Sequence, residues 1–165
     1  MNEITFNPKI LKDYFDDSVR EACRSCKRYG HKRTCPPDIE SVDYYRKLLP
    51  SYERGLLIYK EFPVNLEHWK ESGKQSSLEI QNYLLKKRHE LFVNSHILNL
   101  ALGAGSCKIC EKCNERCNFP DKALIPIEGI GINVVKLMKR WNVDIKFPVE
   151  RELYYIRVGM ILWKK

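Results

Sequence analysis

The sequence predicts an α+β domain, with helices packed on a small, mostly antiparallel sheet that carries two cysteine-rich metal-binding loops. Three observations lead there. Two β-rich segments, residues 55–62 (GLLIYKEF) and 153–163 (LYYIRVGMILW), stand far apart in the chain, with helix-period stretches around them. Seven cysteines fall in two tight groups rather than being scattered through the core. No internal repeat, Gly/Ser linker or low-complexity tract divides residues 1–165, so they read as a single domain.

Taken in order, residues 8–22 read as a short amphipathic helix that delivers the chain to Cys23. Residues 39–49 read as a second helix, with Val42, Tyr45, Leu48 and Leu49 on one side and Pro50 closing it. Residues 55–62 form a core strand bounded by Gly55 and Pro63. The longest helical pattern spans residues 77–102, where Ile80, Leu84, Leu91, Leu98 and Leu102 recur at helical steps. Lys86, Lys87 and Arg88 make its solvated face, and Gly103-Ala104-Gly105 is expected to end it. Gly129 and Gly131 form a turn opening a helix over residues 132–141, and residues 153–163 return as a strand beside 55–62.

Hydrophobic residues make up 44% of the chain, ordinary for a folded domain and incompatible with wholesale disorder. The N-terminus shows no basic stretch followed by an apolar one, and no apolar run approaches the roughly 20 residues of a membrane span. A cytoplasmic location without membrane association is therefore expected, in a compartment that keeps thiols reduced. An odd cysteine count also leaves one thiol over from any set of disulfides. The net charge of +8, from 29 Lys and Arg against 21 Asp and Glu, suits an acidic partner. Much of it lies beside the thiols, at Arg20, Arg24, Lys27, Arg28, Lys32, Arg33, Lys108, Lys112, Arg116 and Lys122. Compensation of an anionic centre explains this better than nucleic-acid binding, because no aromatic residues are interleaved for stacking.

The cysteine spacings carry the chemistry. Cys107-x2-Cys110-x2-Cys113-x3-Cys117 is the spacing of ferredoxin loops, in which three sulfurs hold one [4Fe–4S] cube and the fourth serves another. Cys23-x2-Cys26 followed by Cys35-Pro36-Pro37 supplies three more thiolates, with His31, Cys117 or an exogenous ligand as candidates for the fourth place. Zinc is the competing metal, since Cys-x2-Cys pairs also build tetrahedral sites. Three sulfurs at successive two-residue gaps favour a cube over one small ion. Two cubes need four protein ligands each, one more thiolate than the chain has, so one iron is left open to a substrate. One cube would use Cys107, Cys110 and Cys113 with Cys117 or Cys35; the other would use Cys23, Cys26 and whichever remains.

The chain resembles one family in these same residues. Cys23, Cys26, Tyr29-Gly30 and Cys35-Pro36-Pro37 match the start of its pattern. Residues 101–105 with Cys107, Cys110 and Cys113, then Cys117-x-Phe119-Pro120, continue it, and Pro126, Glu128, Gly131, Ile132 and Val134 close it. The resemblance is to a cysteine-rich family of anaerobic archaea and bacteria, described only as predicted metal-binding proteins. It implies a metal or [4Fe–4S] binder with these cysteines as ligands, and it places the family's glutamate at Glu128, as an acid–base or supporting group. The functional expectation is electron transfer, or chemistry such as sulfur handling at an open iron. The partner would be a redox protein or a small anionic substrate. The alternative is a zinc-stabilised module that binds nucleic acid or an acidic protein.

Overall fold

The computed structural model describes residues 1–65, 67–145 and 154–164. Strand β1 (Asn2–Phe6) leads into a 3-10 helix, Pro8–Tyr14, and helix α1 (Asp17–Ala22) follows. A short 3-10 turn at Cys23–Ser25 opens the first cysteine segment, which ends at helix α2 (Val42–Leu48). Strand β2 (Arg54–Pro63) and helix α3 (Trp69–Val93) precede strand β3 (Asn99–Gly103). The second cysteine segment then runs to a two-residue strand, β4 (Ile125–Pro126). A 3-10 turn at Glu128–Ile130, helix α4 (Val134–Lys139) and strand β5 (Tyr154–Trp163) complete the order.

The five strands form one sheet in the order β1-β2-β5-β3-β4, antiparallel except for the β3–β4 pair. The expected α+β class and the pairing of the two β-rich segments are both present: β2 and β5 align from Arg54↔Trp163 to Pro63↔Tyr154. Side chains alternate between the two faces, as a sheet covered on both sides requires. Leu57, Val158, Met160 and Leu162 face a layer built by Leu11, Leu49, Ile127, Ile132, Leu137 and Met138. Leu56, Ile58, Phe62, Tyr155 and Ile161 face Ile80 and Leu84 of α3. Burying each such side chain contributes about 1.5–3 kcal/mol, which orders short helices too small to stand alone. Where α3 crosses β5 the strand carries Gly159. A Cβ there would come 2.6 Å from Leu84 Cδ1, so the glycine sets how closely helix and sheet approach.

Two expected elements differ. Residues 8–22 are not one helix. Asn7 caps the 3-10 segment by accepting from the Lys9 amide, and Asp16 caps α1 by accepting from Ser18. Between them Phe15 is extended and bridges Ile132. The helix expected over 77–102 starts earlier, at Trp69, and ends at Val93; Asn99–Gly103 is a strand. Asn94 closes α3, and Ser95 turns the chain with φ +68. Gly103 is thus not a helix cap. It lets β4 approach, because a Cβ there would lie 3.2 Å from Leu124 Cβ. The expected helix over 132–141 is the shorter α4, capped by Asn133, which accepts from the Lys136 amide. Leu153 lies outside the described residues. Among the described residues no helix is long and apolar enough to cross a membrane.

This topology sets up the site. β3 and β4 run parallel, so the second cysteine segment leaves the C-terminal end of β3 and Glu128 emerges at the same end of the sheet. β5 runs the other way with Leu102 opposite Met160, which brings Arg157 to that end as well.

Candidate metal centre

The first cysteine segment is wound by consecutive turns. Cys26 N donates to Cys23 O at 3.0 Å, Tyr29 N to Cys26 O at 3.0 Å, His31 N to Arg28 O at 3.0 Å and Cys35 N to Lys32 O at 2.8 Å. Gly30 takes φ +67, and its amide donates to Pro36 O at 2.9 Å, which folds the end of the segment back on its beginning. Only a residue tolerant of left-handed backbone allows that closure, hence the glycine after Tyr29. The closure carries Cys35 back towards the segment that bears Cys23 and Cys26. Cys35 is buried, and Cys26 and Cys23 both lie close enough to act on its charge.

The second segment is also opened by a left-handed glycine. Gly105 takes φ +74 and turns the chain into Cys107, which is buried. The Ile109 amide favours the Cys107 thiolate, and Cys113 and Cys110 oppose it. An amide two residues on that favours the thiolate suits the Cys-x2-Cys spacing of a ligand loop. Cys117 is half-buried and is not among the main influences on Cys23, Cys35 or Cys107. His31 is exposed.

The two segments, separated by residues 36–106, touch. Lys32 is buried, and its ammonium donates to Cys110 O and, at 3.1 Å, to Glu111 O. Next to it, Arg33 Nε donates to Asn114 O at 3.0 Å and its guanidinium pairs with Asp38 at 2.9 Å. A buried ammonium bonded to two carbonyls of the other loop is a strong tie, because charge-assisted hydrogen bonds are about twice as strong as neutral ones. Arg20 reaches Gly129 O and Ile39 O in the same way. Several of the expected compensating cations thus also hold the loops together.

Burial governs the thiols. It pushes Cys35 up to about 11, against the smaller opposing effect of Thr34. It also raises Cys23 and Cys107, with Arg20 opposing it at the first and the Ile109 amide and Lys32 at the second. Thr34 Oγ1 is buried and has no hydrogen-bond partner. Such an orphan is costly unless something calls for it. A Cys35 thiolate, which the hydroxyl favours, would accept its proton. The orphan hydroxyl, the Ile109 amide and the surrounding cations all suit metal-bound thiolates, so these residues fit a metal held by the two loops. Among the described residues no three His, Cys, Asp or Glu side chains already converge at metal-holding distance.

Beside the first group lies Glu128. Its surface is exposed to solvent, yet desolvation raises its carboxyl above the ordinary range, with Arg157 opposing more weakly. Cys23 lies within reach of its charge. Lys108, half-buried with its ammonium on Ser106 Oγ at 2.9 Å, is lowered by burial and then by Arg28, Arg157 and Lys32, while Cys35 acts in the opposite direction. Sequence reading missed Arg157, whose signal was a lone arginine inside an apolar strand, and missed the role of Lys32 as a clip.

No curated protein and no solved structure matches this chain. A family model does, over residues 12–163: Predicted metal-binding protein (DUF2284). The match takes in both cysteine loops, Glu128 and Arg157 alike, and the chain belongs to that predicted metal-binding family.

Proposed function

We propose that the chain is an iron–sulfur protein, holding one or two [4Fe–4S] clusters through Cys23, Cys26 and Cys35 on one loop and Cys107, Cys110 and Cys113 on the other. The observation that carries this is the spacing of the cysteines, three at short gaps on each loop, with the two loops tied by Lys32. A structural zinc site takes four protein ligands. A triad on a cube leaves one iron free for a substrate or a further ligand. Cys117 is available to complete the second triad, which leaves the first as the open one.

When bound, such a cluster supplies an electron reservoir and, at its free iron, a Lewis acid. The chain's own groups do the rest. Lys32 and Arg33 hold the loops in register, and Thr34 and the Ile109 amide favour thiolate at Cys35 and Cys107. Glu128, with a raised carboxyl and within electrostatic reach of Cys23, is a candidate proton donor and acceptor. This arrangement supports chemistry on a small substrate, sulfur handling among the options, over service as an electron wire alone. A fully ligated wire needs no proton-carrying group. The test is to reduce anaerobically purified protein and add a small thiol or cyanide. A change confined to one EPR signal is expected, and its loss in Cys35→Ser but not in Cys117→Ser locates it. Indifference to every added ligand returns the protein to electron transfer.

A further inference from the structure

Helix α3 rests on the sheet through Ser76, Ser77, Ile80, Gln81 and Leu84, and none of its residues from Leu85 to Val93 is buried. A surface cleft of about 530 Å³ opens on one side of this free end. Its apolar wall is Leu85 and Phe92 of α3 together with Ile97, just before β3. Phe92, Val93, Ile97 and Leu98 are each between 59% and 68% exposed. They are four of the nine large apolar side chains left exposed among the described residues. Four within seven positions, beside one cleft, make a patch rather than the scattered singles of an ordinary surface.

The facing wall is the turn that follows the second cysteine loop, at Asp121 and Lys122. The Lys122 amide donates to Phe119 O at 3.1 Å and the Ala123 amide donates to the same oxygen at 2.9 Å. Two side chains of α3 hold this turn in place: Gln81 Nε2 donates to Lys122 O at 3.2 Å, and the Arg88 guanidinium donates to Asp121 O. Arg88 and Lys122 both line the cleft, and exposed Lys86 stands one helical turn from His89, which lines it too. No ion pair among the described residues involves Lys86, Arg88 or Lys122. Asp121 brings a single carboxylate against them. The smaller cleft on the other side of α3, about 220 Å³, differs. Its lysine, Lys87, is paired with Glu3 at 3.2 Å and Glu90 at 3.6 Å, so the charge there is balanced from within.

We propose that the larger cleft is the docking site for an acidic protein partner, which lays an amphipathic segment along the free end of α3. Its apolar side chains meet Phe92 and Ile97, and its carboxylates meet Arg88, Lys122 and Lys86, the arrangement of a helix seated in a groove. Charge complementarity selects this occupant. A second copy docked about a two-fold axis would set these cations against their own images, in a chain of net charge +8. Nucleic acid, held mainly by phosphate contacts, would meet Asp121 and aliphatic walls. The surface adjoins the second cysteine loop, because its turn begins two residues after Cys117. Docking does not depend on which metal that loop holds, so this proposal and the iron–sulfur reading fail separately.

The probe is a synthetic amphipathic helical peptide with leucines on one face and glutamates on the other; its counterpart with lysines in place of the glutamates is the control. Fluorescence anisotropy reads their binding to the full chain purified without oxygen. The glutamate peptide is expected to bind saturably and at least about tenfold more tightly than the lysine peptide. Phe92→Ala and Lys122→Glu should each weaken it by about tenfold or more, with the melting temperature unchanged because both side chains are exposed. Trp69→Ala, at an exposed apolar residue on the other end of α3, should leave binding as in the parent. The proposal is overturned if the glutamate peptide does not bind, if the lysine peptide binds as tightly, or if both cleft variants bind like the parent. It is also overturned if sedimentation shows a dimer that Phe92→Ala dissolves, which assigns the patch to a second copy. Tighter binding of a single-stranded RNA oligonucleotide, lost in the same two variants, would overturn it in favour of nucleic acid.

Discussion

Replacing Lys32 by methionine removes the clip between the two cysteine loops while keeping the length of the buried stem. The side chain is 4% exposed, and its ammonium bonds the carbonyls of Cys110 and Glu111. A hydrogen bond to a charged group contributes about 1.5–3 kcal/mol net. Here, though, both carbonyls belong to a partly exposed loop where water can replace the lost donor. We therefore take about 2 kcal/mol for the pair, at the low end of the range for a single bond. That amount corresponds to roughly a thirtyfold shift in the balance between docked and undocked loops. A metal held jointly by both loops requires docking, so its affinity falls by up to the same factor, while one held within a single loop loses less. The assay is the chelator concentration that strips half the metal, read beside hydrogen exchange of the amides over residues 107–117. Lys32→Met should lose metal at a lower chelator concentration and exchange faster over that segment. Lys32→Arg should stay near the parent. Unchanged stripping and unchanged exchange in Lys32→Met would refute the claim that the clip holds the loops together.

Further outcomes follow from burial and close contact. Gly159→Ala should destabilise the protein by about 1–3 kcal/mol in urea unfolding, because the new Cβ meets the fully buried Leu84 and Ile80. Gly55→Ala should cost clearly less, since its Cβ meets only the tip of the half-buried Phe6 ring, which can swing aside. An equal cost at both positions would contradict this reading of the α3 contact. In metal-free protein the Cys35 thiol, raised from 9.0 to about 11, contributes stability below pH 9 that is lost as pH rises towards 11. The loss is roughly 2–3 kcal/mol, and Cys35→Ser should flatten that part of the stability profile. Metal affinity should rise over the same range, as the thiol must lose its proton to bind. Glu128, raised above 4.5, contributes stability at low pH that is lost as pH rises through its folded value. Glu128→Gln should therefore raise the melting temperature of metal-free protein at pH 8 and leave it unchanged at pH 4.

The sequence announced its sheet and its cysteines more clearly than its helices, and the reasons are local. Residues 55–62 and 154–163 alternate between two apolar faces, so their pairing follows from pattern alone. Leu98 and Leu102 continued the spacing of Ile80 and Leu84 by coincidence, which stretched a helix over β3. The true start of α3 was hidden because its buried face there is polar: Ser76 and Ser77 cover β5 where Arg157 needs an acceptor. β1 showed its alternation in Ile4 and Phe6 but is only five residues long. In the candidate site the ligand types and spacings were legible, because a thiolate centre demands cysteines at short gaps. The meeting of the loops was not, since it depends on Lys32 and Arg33 bonding to backbone carbonyls that any residue would supply. Nor could sequence spacing show that Arg157, on the last strand, bonds to Ser76 and Gly73 of α3.

Determination of iron, zinc and acid-labile sulfide in protein purified without oxygen tests the central claim most directly. The account predicts a brown protein with iron and sulfide in near-equal amounts, about four of each per cube, and little zinc. A colourless protein holding one equivalent of zinc and no sulfide would contradict it.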